Sequence, residues 1–180
     1  MKKHIFYPAI STLLVVGLFS LPVSADDNKD TLVKFKGGIG VIPVSNVTVA
    51  GTPPVVTVSP NVVRGVNPAG QIWVIDELEA KVKTNGDIKV KGKGLILGGG
   101  NNAGRATGQS VFATLICEAA APFTERSTAT APGALLTAEG DFKIDDVLAP
   151  LLVGECASPM LLIRNAANGG WFAVGIPKLD

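Results

Sequence analysis

Residues 79–93 read Glu-Ala-Lys-Val-Lys-Thr-Asn-Gly-Asp-Ile-Lys-Val-Lys-Gly-Lys. Five lysines recur at alternate positions: Lys81 and Lys83 before Asn85-Gly86, then Lys89, Lys91 and Lys93 after it. A β-strand presents alternate residues on one face. Each run therefore turns its lysines to one side and Ala80, Val82, Ile88 and Val90 to the other. Lysine ammonium groups hold their charge at neutral pH, so the pattern offers anion binding by charge attraction. An acidic lipid, an acidic polysaccharide or an acidic partner protein fits that chemistry. The simpler alternative is a solvated edge hairpin whose lysines discourage edge-to-edge pairing. Aromatic residues do not interleave with the lysines, so the stacking platform of a single-strand nucleic-acid binder is not expected.

The apolar residues of both strands must reach the core together. A strict two-residue Asn85-Gly86 turn would oppose Val82 and Lys89, which defeats this. An odd loop or a bulge restores it. The expected register sets Val82 against Val90, Lys81 against Lys91 and Lys83 against Lys89. Such like-charged pairs are mildly destabilising.

The densest acid cluster is Glu139, Asp141, Asp145 and Asp146. Paired carboxylates serve glycoside hydrolysis or calcium binding. The spacing lacks the alternating oxygen ligands of an EF-hand, and the plainer reading is a solvated turn in which Asp145-Asp146 cap one helical turn before Pro150. The only histidine, His4, lies in a segment with the organisation of a secretory signal peptide. Lys2 and Lys3 precede an apolar run from Ile5 to Leu21; Pro22 and Val23-Ser24-Ala25 then form an A-x-A-like cleavage pattern. Cleavage after Ala25 would leave 155 residues with no histidine and no tyrosine. Histidine triads and histidine zinc sites would then be closed to the chain. No catalytic residue, metal ligand or cofactor motif is identified, and a non-enzymatic chain is expected.

Loss of two lysines with the signal leaves 14 Lys+Arg against 15 Asp+Glu, a net charge of −1. That balance argues against general nucleic-acid binding. After the signal, no apolar run approaches the ~18 residues of a membrane helix. Five Phe, two Trp and no Tyr are few for the aromatic girdles of an outer-membrane barrel. Cys117 and Cys156 are the only cysteines. An even pair in an exported chain reads as a disulfide, and a secreted or periplasmic location is expected.

Short strands must position these groups. Thr31–Lys36 alternates as a strand. From Gly37 to Val66 valine dominates, with Pro43, Pro53, Pro54 and Pro60 interrupting, and several short strands or an extended arm both fit. Gln71–Lys83, Asp87–Lys93, Ser110–Cys117, Asp141–Ile144, Pro159–Arg164 and Gly170–Ile176 read as extended, the last two as a hairpin around Asn165–Gly169. Gly98–Gly104 reads as a flexible surface loop without a phosphate-loop signature, and Glu118–Gly133 as a loop. Trp73 and Trp171 read as core residues. No long segment has a 3.6-residue period. The expectation is an all-β fold, an antiparallel β-sandwich or partly open barrel with one disulfide. Its parts are a signal peptide (1–25), a charged lead-in with a Val/Pro-rich extended segment (26–61) and a β-sandwich domain (62–180).

Gly94–Asn101, Val111–Cys117, Gly140-Asp141-Phe142 and Leu161–Asn165 with Trp171–Ile176 resemble a set of small uncharacterised exported all-β proteins over about residues 62–176. The same order of apolar strand, Gly-rich turn, second strand and final hairpin is distantly similar to chordin-type domains. The histidine-bearing strand of those domains has no counterpart in Leu95–Leu97. Neither resemblance implies an activity or a site residue. Three functions therefore stand beside a binding or structural module of unknown ligand: anion binding by Lys81, Lys83, Lys89, Lys91 and Lys93, a carboxylate-dependent hydrolase, and a subunit of a surface assembly.

Overall fold

A computed structural model describes residues 30–178, so the segment expected to be a signal peptide and nearly all of the charged lead-in lie outside the described residues. The described chain forms thirteen strands and no helix. They are β1 (Thr31–Gly40), β2 (Val44–Ala50), β3 (Val55–Pro60), β4 (Trp73–Val74), β5 (Glu77–Lys83), β6 (Asp87–Lys93), β7 (Ile96–Leu97), β8 (Ser110–Ile116), β9 (Arg126–Ser127), β10 (Ala134–Leu135), β11 (Phe142–Val147), β12 (Met160–Asn165) and β13 (Trp171–Pro177).

One antiparallel sheet runs β10-β8-β12-β13-β1-β5-β6-β11, with β9 paired to β8. Its ends, β10 and β11, come together and bring it close to a closed barrel. Near-closure leaves little free edge for strangers to pair with. The all-β, one-disulfide expectation holds. β1 is an interior strand between β13 and β5, so among the described residues ahead of 62 only β2 and β3 stand apart, as a separate hairpin.

The alternation in β5 and β6 sends Leu78, Ala80, Val82, Ile88 and Val90 into the core. β11 adds Phe142 and Ile144 to them. Gly92 makes room for this: a Cβ there would sit 2.1 Å from the Phe142 ring. β8 is instead buried from Val111 through Ile116. On its second face the Arg164 guanidinium lies 5.1 Å over the Phe112 ring and donates to Thr114 Oγ1 at 3.3 Å, while β9 pairs along its edge, Thr114 opposite Ser127 and Leu115 opposite Arg126. Thr114 and Ser127 share a hydroxyl hydrogen bond at 2.8 Å, and the Ala113 N–H donates to Thr128 Oγ1 at 3.1 Å. Trp73 and Trp171 are buried as expected, Trp73 stacking on Phe172 at 4.0 Å between ring centroids.

Cys117 and Cys156 form the expected disulfide, with Cα atoms 4.6 Å apart. It closes a loop of separation 39, worth about 4 kcal/mol in the chain-entropy account. Arg64 anchors the same corner by donating to the Ile116 carbonyl and to the carbonyl and hydroxyl of Ser158, at 3.0, 2.6 and 2.7 Å.

Two local expectations are corrected. Asp145-Asp146 do not cap a helical turn; they lie inside β11, paired to β6 from Phe142 opposite Gly92 to Val147 opposite Asp87. Six ladder positions and two buried apolar residues outweigh a local capping signal. The β5–β6 loop is odd, as expected, but its register differs by two residues: Val82 opposes Ile88, not Val90. Both registers bury apolar pairs. The loop chemistry selects between them. Gly86 takes φ +89°, its N–H donates to the Lys83 carbonyl, and Asn85 Oδ1 accepts from the Asp87 N–H. That is a three-residue loop centred on Asn85, with glycine in the left-handed position.

Candidate functional site

The register of four adjacent strands builds two rows across the outer face of the barrel. One row runs Lys34 (β1), Lys81 (β5), Lys89 (β6), Asp145 (β11). The next runs Lys36, Glu79, Lys91, Lys143 on the same four strands. Lys178 joins from beyond β13, its N–H bonded to the Lys34 carbonyl. Together these side chains wall a shallow groove of about 480 Å³ that Phe35, Ala80, Val90 and Ile144 also line. Among the described residues, seven lysines face two carboxylates, a net of five positive charges on one face.

Lys34 lies directly opposite Lys81, Lys81 opposite Lys89, and Lys91 opposite Lys143. Neighbouring strands lie about 4.8 Å apart, so each pairing sets two ammonium-bearing stems side by side. Directly opposed like charges are mildly destabilising. Asp145 relieves one end of its row: its Oδ2 accepts from Lys89 Nζ at 2.8 Å. That hydrogen bond, and then the charge of Asp145, raise the Lys89 pKa, which keeps the ammonium protonated.

Of the five lysines expected from sequence, Lys81, Lys89 and Lys91 line the groove. Lys83 and Lys93 do not. Lys93 is committed to Glu77 Oε2 at 2.8 Å, and the pair lowers the Glu77 pKa and raises that of Lys93, in each case first through the hydrogen bond. The groove's other lysines, Lys34, Lys36, Lys143 and Lys178, come from strands and segments distant in sequence. The Lys-x-Lys spacing at 34–36 was the available signal.

The acid cluster disperses. Asp145 faces the lysine rows. Asp146, its neighbour on a strand, turns to the opposite side, where it accepts from the Ala129 N–H at 2.9 Å. Asp141 accepts from the Gly94 N–H at 3.1 Å. Among the described residues no group of three or more His, Cys, Asp or Glu could hold a metal ion.

The Gly98–Gly104 segment is a loop, pinned at its base where the Gly104 N–H donates to the Leu97 carbonyl at 2.8 Å. A separate, half-buried ion pair stands beside the disulfide. Arg126 Nη2 donates to Glu118 Oε1 at 2.9 Å, and Glu118 Oε2 accepts from the N–H groups of Cys117 and Thr124. The Arg126 hydrogen bond is the largest cause that holds the Glu118 carboxyl down at about 2.

Comparison with family models, with curated proteins and with solved structures finds no match.

Proposed function

We propose that this chain is an exported, non-enzymatic binding module that holds an acidic polysaccharide against its lysine face. The observation that carries this reading is the composition of the groove wall, seven lysines against two carboxylates among the described residues, drawn from four adjacent strands and the segment after β13. Folding gathers these lysines on one face, where a polyanion would meet them by charge attraction. A regular array of cations along a groove fits a ligand with regularly spaced carboxylates or sulfates.

The groove favours a polysaccharide over a bilayer. Both rows consist of charged side chains, and neither presents the aromatic or aliphatic anchor that enters a membrane interface. The signal-like pattern of residues 1–25 and the Cys117–Cys156 bridge support an oxidising, extracytoplasmic setting. The dispersal of Asp141, Asp145 and Asp146 supports a binding role over carboxylate catalysis.

Heparin, as a sulfated probe polymer, tests the reading. Retention on a heparin column should fall as salt rises. Replacing Lys81, Lys89 and Lys91 by Gln should weaken binding at least tenfold, whereas K83Q/K93Q should leave it nearly unchanged. Equal loss in both variants would mean diffuse charge rather than a groove, and unchanged binding in the triple variant would overturn the proposal. Stronger retention on phosphatidylglycerol vesicles than on heparin would move the ligand class to lipid.

A further inference from the structure

The β2–β3 hairpin pairs only with itself. In its register Val47 opposes Val58 and Val49 opposes Val56, while Asn46 opposes Ser59 and Thr48 opposes Thr57. Directly opposed residues share a face. One face is therefore four valines, and the other is Asn, Ser and Thr with the Ala50–Val55 pair at its tip. The valine face is not covered: Val47 and Val58 are each 54% exposed, Val49 63% and Val56 61%. From Gly37 to Val63 the chain has no charged residue. Exposed ribbons are ordinarily guarded by lysine or other charges against pairing with neighbours, and this one has no such guard.

We propose that the arm is a homodimer contact: its valine face packs against the valine face of a second copy of the chain. The distribution of apolar surface selects that occupant. Among the described residues, eleven of the sixteen exposed large hydrophobics fall between Ile39 and Val74, on the arm and around its base. The remaining five, among them Leu135, Val147 and Ile176, are scattered elsewhere. The surface of this chain that best complements the arm is thus the arm region itself, and a patch that contacts itself defines a two-fold contact. Two uncharged faces also meet without charge repulsion, which the lysine face could not do.

The area argues for an antiparallel arrangement. A seven-residue, two-stranded ribbon offers roughly 24 Å by 10 Å per face. Two such faces stacked cover roughly 500 Å² in total, short of the ~1,200 Å² of a stable interface. With the arms antiparallel, each tip, Ala50–Val55, reaches the base of the other arm. There Ile42, Pro43, Val44 and Ile72 line a charge-free hollow of about 420 Å³, which extends the contact.

Sedimentation velocity of the purified chain from about 1 to 100 μM tests this. The expected result is a concentration-dependent monomer–dimer equilibrium. V49D/V56D should shift it toward monomer by at least tenfold in Kd, with the disulfide and the circular-dichroism spectrum retained, because both residues are solvent-exposed in the monomer. T48D/T57D, on the polar face, should leave the dimer intact. A monomer throughout the range would overturn the proposal. So would a dimer indifferent to V49D/V56D, or one broken equally by T48D/T57D. Monomeric protein that binds neutral phosphatidylcholine vesicles through the arm would replace it with a membrane contact. Loss of heparin binding is not expected in any arm variant, so this proposal and the lysine-face reading fail separately.

Discussion

The lysine face and the valine arm are both β-ribbons open to solvent, built on the same two-residue alternation. They differ in what lies behind them. On β5 and β6 the lysines look outward because Val82, Ile88 and Val90 are buried in the core. On β2 and β3 the runs Val47-Thr48-Val49 and Val56-Thr57-Val58 alternate too, yet neither face is covered. Alternation thus dictates that a segment forms a two-faced ribbon, and it does not dictate that the apolar face is spent within the same molecule. The charged face resists contact with its own kind, whereas the neutral face invites it.

Core substitution breaks this comparison most directly. I88A, behind the lysine face, should cost about 2–5 kcal/mol, whereas V49A on the arm should stay within about 0.5 kcal/mol in the monomer. Urea unfolding of both variants at low concentration checks the contrast, and equal costs would mean that the arm packs on the body. The next effect is acid stability at the disulfide corner. Glu118 is held at about 2 against an ordinary value of 4.5. A carboxyl lowered in the folded state stabilises fully above 4.5, and that contribution is lost as pH falls toward 2. Thermal unfolding should therefore weaken across that window, and E118Q should lower stability near neutral pH by about 1–2 kcal/mol and flatten the acid slope. The smallest effect sharpens the lysine face alone. D145N removes the carboxylate that accepts from Lys89. Heparin binding should tighten by about twofold, as one fewer negative charge faces the polymer, with the unfolding midpoint essentially unmoved because the pair is exposed.

Much of the scaffold was legible. Ser110–Cys117 and the hairpin around Asn165–Gly169 announce themselves by continuous apolar runs and turn residues, and the two cysteines could pair only with each other. What was hidden is long-range. Nothing local tells Thr31–Gly40 to lie between β13 and β5, or Phe142–Val147 to extend the sheet beside β6. Consequently three lysines of the candidate groove were legible in the hairpin, while Lys34, Lys36, Lys143 and Lys178 became neighbours only through sheet order. The Asp145-Asp146 capping signal failed for the same reason, since strand pairing with β6 is invisible at the level of a dipeptide. The hairpin register was undecided by hydrophobicity, because Val82 meets an apolar partner in either alignment, and the conformation of Gly86 broke the tie.

The bridge from Cys117 to Cys156 spans the exposed turns around Val153 and the long loop that leads into β9. A protease that cuts the backbone anywhere between the two sulfurs leaves the halves joined. In a compartment rich in proteases, such a cut would be a scar rather than a severance: the fragments stay side by side, and only a reductant releases them.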